Sequence, residues 1–180
     1  MALTPKLDSP SRLFGKLERE LVRAFHHKNP THKSDHFYNF CITAHSIRDY
    51  LLEHLGKLAD ADTQPFHEAW SKNAVLVAVG EIANTAKHFQ LRKRDKSLKI
   101  LKTKGVRGGK TTVAEVYVNG RGQLLVKKQS NVSTYVIKVK GGKSFELYAF
   151  MDEVVNYWKK ELKTHGVRIR NQSNTQLHGT

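Results

Sequence analysis

Arg48 and His54 are the pair whose types and spacing most directly offer chemistry. In RDYLLEH, Arg48 to His54, an arginine can stabilise a phosphoryl transition state and a histidine can move the proton of a ribose 2′-hydroxyl. Metal-free RNA cleavage needs little beyond such a pair and a way to hold the strand. Asp49 sits directly after the arginine. On an ideal helix, residues six apart point roughly 120° away from each other. Arg48 and His54 therefore meet at one phosphate only across a dimer cleft or a helix irregularity.

Two polar stripes form a second candidate. His45 and Asp49 stand one helical turn apart, with Asn39 and Thr43 before them, and Glu81, Asn84 and His88 repeat at helical spacing further on, with Lys87 beside them. Stripes of this kind are either wetted surface or the lining of a cleft. In a cleft, His45 and His88 supply imidazoles, the side chains that change charge near neutral pH, while Asp49 and Lys87 bias them.

At these residues the chain resembles the HEPN superfamily of compact helical domains, in which an arginine followed by Asn, Asp or His precedes a histidine by four to six residues. Arg48-Asp49 and His54, with five residues between arginine and histidine, fit that pattern. The resemblance implies a ribonuclease centre of Arg48, Asp49 and His54, completed by homodimerisation, or an inactive member that serves as a binding or scaffold module. The blocks DHFYNFCITAHSIRDYLLEH and EIANTAKHFQL are also similar to a group of small bacterial and phage-associated proteins without an assigned activity. That likeness covers the helical half, through Leu91, and singles out Asp35, Asn39, His45, Asp49, Asn84, Lys87 and His88.

Two other stretches imitate known chemistry. GVRGGKTT, Gly105 to Thr112, ends like a phosphate-binding loop, but that loop needs a glycine separated by four residues from its Gly-Lys-Thr; Lys104 stands at that position and Gly105 is one residue too close. The segment it leads into, TTVAEVYV, is a strand pattern where the loop requires a helix. The stretch reads as a basic hairpin or loop. HHKNPTHKSDH gathers His26, His27, His32, Asp35 and His36, yet Ser34, read as a helix cap, separates His32 from His36. It reads as a solvated inter-helix loop, and neither a metal ion nor another cofactor is expected.

Charge names the partner class. With 31 Lys and Arg against 16 Asp and Glu, the chain carries +15, which favours polyanions, nucleic acid first. Arg92, Lys93, Arg94, Lys96, Lys99, Lys102, Lys104, Arg107 and Lys110 face one acid, Asp95, across 19 residues. Such a run tracks a phosphate backbone without reading bases, and the HEPN resemblance implies RNA before DNA. The competing expectation is a non-catalytic interaction protein that docks on an acidic partner, or into a ribonucleoprotein or phage-related assembly.

At 39% hydrophobic and 26% charged, the composition is that of a globular domain with a core of its own. The longest apolar run, Ala74 to Val79, is far below the roughly 20 residues that cross a bilayer. The start, MALTPKLDSPSRLF, has no apolar signal region, and the single cysteine, Cys41, fits a reducing cytoplasm. No membrane partner is expected.

These residues need a scaffold of α+β class: a helical bundle of three N-terminal helices and one C-terminal helix, with a small antiparallel meander inserted. Ser9-Pro10 starts the first helix, with Leu13, Leu17, Leu21 and Phe25 on one face, and Asn29-Pro30 stops it. The second is expected from Ser34-Asp35 to Gly56, and the third from about Pro65 to about Leu91. Beyond them the period changes to two in TTVAEVYV, QLLVKKQ, STYVIKVK and SFELYAF, with turns at Asn119–Gly122 and Gly141-Gly142. The expected division is one domain over 1–180: helices 9–91, basic loop 92–110, sheet 111–150, C-terminal helix 151–166 and flexible tail 167–180.

Overall fold

The computed structural model describes residues 6–85, 105–118, 124–139 and 142–169. It is an α+β fold dominated by helices: α1 (Pro10–His26), α2 (Pro30–His54), α3 (Asp60–Ser71), α4 (Ala74–Thr85), a three-stranded sheet and α5 (Leu147–Thr164). No helix among the described residues is long and apolar enough to cross a membrane.

The first helix begins as its sequence dictates. Ser9 caps it by accepting the N–H of Arg12 at 3.4 Å, and Pro10, with no N–H to waste, occupies the first turn. The second starts earlier than Ser34. Asn29 caps it through the N–H of Thr31 at 2.8 Å, so the pair Asn29-Pro30 opens α2 as well as closing α1. HHKNPTHKSDH is accordingly the end of α1 and the first turns of α2, with His32 and His36 one turn apart on a continuous helix. The His27 ring lies 4.7 Å from that of His32 and 5.5 Å from that of His36. Among the described residues, no group of three or more His, Cys, Asp or Glu is placed to hold a metal ion.

The helix expected from Pro65 to Leu91 is two helices. Asn73 accepts the N–H groups of Val75 at 3.0 Å and Leu76 at 3.3 Å. That bond pattern is an N-cap, and it lets the chain change direction between α3 and α4. Gly56, at φ 66°, ends α2 in the left-handed conformation its sequence predicts.

The sheet has three antiparallel strands in the order β1 (Gly105–Val118), β2 (Leu124–Lys138), β3 (Ser144–Glu146). The first strand starts inside the expected basic loop. The expected strands QLLVKKQ and STYVIKVK fall, over Leu124–Lys138, in one long strand, interrupted in register by a bulge opposite Glu115/Val116. Only the first part of SFELYAF is extended. Glu146 accepts the N–H of Tyr148 at 2.8 Å and turns Leu147 onward into α5. The tail starts later than 167: Val167 is buried and donates its N–H to Leu162 O at 2.9 Å.

Helix α2 organises the core, packing against α1, α4 and α5. Phe14, Phe40, Phe150, Leu17, Ile47 and Leu51 are fully buried, and Ile137 and Val139 seat the base of the β1–β2 hairpin in the same cluster. Each such large side chain contributes about 1.5–3 kcal/mol by leaving water. Between α1 and α2 runs a polar seam. Lys16 Nζ donates to Thr43 Oγ1 at 2.5 Å, and the buried Glu20 carboxylate holds Arg23 at 2.8 Å and His36 at 2.9 Å. Burial holds Lys16 below its ordinary pKa, with Glu20 pulling the other way. Cys41 is fully buried, which raises its thiol far above the range in which a thiolate forms, and it is chemically inert.

Candidate functional site

The second half of α2 faces α4 across a cleft of about 600 Å³. His45 and Arg48, three residues apart and so on one face of α2, line it together with Glu81 and Asn84 of α4. The break between α3 and α4 brings in His67 and Trp70, and α5 contributes Trp158. Four of the polar positions picked out by spacing, His45, Arg48, Glu81 and Asn84, thus share one space.

The close approach of the helices depends on Gly80. A methyl group built there would sit 3.2 Å from Nδ1 and 3.3 Å from Cε1 of His45. A Cβ there would press the imidazole back by a few tenths of an ångström from the α4 backbone. Arg48 Nε donates to Asp49 Oδ1 at 3.1 Å, with the Asp49 side chain 64% exposed. Such a wetted pair is weak. It engages Nε alone, so the terminal guanidinium nitrogens have no partner among the described residues and can bind an anion.

The far wall is aromatic. The Trp70 and Trp158 rings stand 5.7 Å apart, and His67 meets Trp70 edge-on at 5.8 Å. Trp70 Nε1–H donates to Glu161 Oε1 at 3.3 Å, whereas the buried indole N–H of Trp158 has no hydrogen-bond partner among the described residues. Behind this wall the Tyr157 pKa is raised to about 12, chiefly by burial and further by the Glu161 carboxylate. It remains a neutral phenol at physiological pH.

Other expected positions lie elsewhere. Thr43 is buried and turned to α1, where it also donates to Asn39 O at 2.7 Å. Asp35 and Asn39 are exposed on α2 and do not line the cleft. His54 is exposed at the last turn of an uninterrupted α2, so within one chain it does not join Arg48. Lys87 and His88 lie outside the described residues, as do Arg92, Lys93, Arg94, Lys96, Lys99, Lys102 and Lys104. Arg107 is on β1, and Lys110 is exposed on the same strand.

Sequence reasoning missed His67, Trp70, Gly80 and Trp158 as cleft residues. Trp158 was visible only as part of an apolar stripe. The other three acquire a role from the Asn73 cap, which turns α4 against α2, and an Asn two residues before a Val-rich run was the available signal. No protein-family model matches the chain, and comparison with curated proteins and with solved structures finds no match.

Proposed function

We propose that the chain is an RNA-binding module in which the α2–α4 cleft receives a nucleotide and the run from Arg92 to Lys110 neutralises the strand backbone. The observation that carries this reading is that His45 and Arg48 line one cleft together with Trp70 and Trp158. A guanidinium for phosphate, an imidazole beside it and an apolar aromatic wall are the three elements single-stranded RNA recognition uses. The net charge of +15 supplies long-range attraction.

The same groups support HEPN-type cleavage within this reading. The ribose 2′-oxygen attacks phosphorus, a histidine takes its proton, the bond to the 5′-oxygen breaks, and that oxygen leaves with a proton. Arg48 neutralises the extra charge on phosphorus, and these steps need no metal ion. His45 is the histidine beside Arg48 in one chain, and His54 becomes a candidate only when a second copy presents it.

Binding and cleavage of single-stranded RNA by the full chain test both levels. Arg48→Ala should reduce cleavage by roughly 10²–10³-fold, with binding kept by the basic run. His45→Ala against His54→Ala then separates the one-chain centre from the dimeric one. Unchanged cleavage in all three variants ends the catalytic reading. No RNA affinity at low salt, where counterion release is strongest, ends the RNA reading and leaves the acidic-partner alternative.

A further inference from the structure

A second cleft, of about 430 Å³, opens at the other end of α2, where Pro30 and Lys33 face Gly108, Gly109 and Lys110 of β1 and Thr134 and Tyr135 of β2. Lys33 is only 7% exposed. Its aliphatic stem is covered by the fold while the residue lines the cleft, where an anion can reach the ammonium. Lys33 has no ion pair or side-chain hydrogen bond among the described residues. The acid on neighbouring β3, Glu146, is already engaged by Thr134 Oγ1 at 2.5 Å and by the N–H of Tyr148 at 2.8 Å. Glu20, the buried acid of α1, is held by Arg23 and His36.

The walls of this cleft are fixed. Tyr135 Oη donates to Pro30 O at 3.1 Å, tying the start of α2 to the sheet, and its ring stacks on Phe37 at 6.3 Å. A Cβ at Gly109 would press on Val136 Cγ2 at 3.1 Å, while a Cβ at Gly108 would meet nothing within 4 Å. Two successive glycines leave the β1 backbone bare, and β1 is an edge strand among the described strands, so alternate residues turn an N–H and a C=O away from β2. The positive end of the 25-residue α2 points to the same place.

We infer that Lys33, Lys110 and the Gly108-Gly109 backbone form a binding site for a phosphate group, which supplies the negative charge that Lys33 lacks. Gly-Gly-Lys thus meets phosphate on a strand edge, with the second lysine coming from α2 and without the loop-to-helix geometry of a nucleotide hydrolase. The inference stands apart from the α2–α4 cleft, because it needs only a phosphate group, from an RNA backbone or free in solution.

The test is inorganic phosphate titrated into the full chain against chloride at constant ionic strength, read by thermal unfolding and ³¹P line broadening. Wild type should gain Tm with phosphate by ligand linkage. Lys33→Met and Lys110→Ala should each weaken phosphate affinity by roughly tenfold or more, as loss of a charge-assisted hydrogen bond implies, and His45→Ala should leave it unchanged. A wild-type Tm indifferent to phosphate overturns the inference. So does Lys33→Met responding like wild type, or, should that variant fail to fold, Lys110→Ala doing so. Single-stranded RNA that displaces phosphate from wild type identifies the backbone as the source. Phosphate that binds and is not displaced identifies the free anion and counts against the RNA reading alone.

Discussion

The two clefts that α2 helps to build differ in what they enclose. Around Arg48 a guanidinium stands with the Glu81 carboxylate and the imidazoles of His45 and His67, against two indoles. Around Lys33 there are two lysines, two hydroxyl side chains and bare glycine backbone, with no acid in the lining. A mixed set can hold a ligand and also pass a proton, while a cationic set can only hold an anion. The cause is the elements that form each wall. Four helices meeting at one point bring side chains of every class, whereas a helix start and a glycine-bearing strand edge contribute few side chains and mainly backbone polar groups.

The largest way to break this comparison is through Trp158. Its indole closes the Arg48 cleft and is 2% exposed in the shared core. Trp158→Ala should cost about 3–5 kcal/mol of stability, the usual range for deleting a buried aromatic side chain, measured by urea unfolding. At temperatures where the variant is folded, the phosphate response at Lys33 should persist. Loss of both ligand responses together would mean that the clefts are one mechanical unit.

Gly80→Ala acts on the same cleft with a smaller energetic footprint. Alanine favours a helix over glycine by about 0.8–1.0 kcal/mol, and the new methyl must displace the His45 ring from a 3.2 Å contact. The two effects oppose, so net stability should move by less than about 1 kcal/mol. The His45 imidazole resonances should shift and RNA affinity fall, with phosphate affinity at Lys33 intact. An unmoved His45 spectrum would show that Gly80 does not set the imidazole position.

How much of this was legible depends on whether the signal was local. Ser9-Pro10, Gly56 and the apolar stripes of α1, α2 and α5 come from capping and periodicity, and the structure places them accordingly. Asn29-Pro30 carried two meanings, and only the stop was read, although Asn before Pro is also the start signal of α2. The Asn73 cap was hidden by apolar residues that keep helical spacing on both sides of it. His45, Arg48 and Asn84 were legible as stripes. Their convergence was not, because it depends on the turn between α3 and α4. Lys33 was illegible altogether: nothing local distinguishes it from a surface lysine until Tyr135 is tied to Pro30, 105 residues away.

Glu18 sharpens the comparison from outside both clefts. It lies on α1, its Oε2 is buried without a hydrogen-bond partner among the described residues, and burial raises its pKa above the ordinary 4.5. Lys159 and Arg19 oppose that rise. A carboxyl whose folded pKa exceeds its unfolded value binds more protons when folded, so its contribution to stability is full below the ordinary value and is lost as pH rises through the folded pKa. Glu18→Gln cannot ionise and escapes that loss. Its Tm should match wild type near pH 4 and exceed it modestly near pH 7, with both ligand responses unchanged. An equal Tm difference at the two pH values would show that Glu18 ionises in the folded chain as readily as in the unfolded one. Its buried oxygen would then be compensated by Lys159.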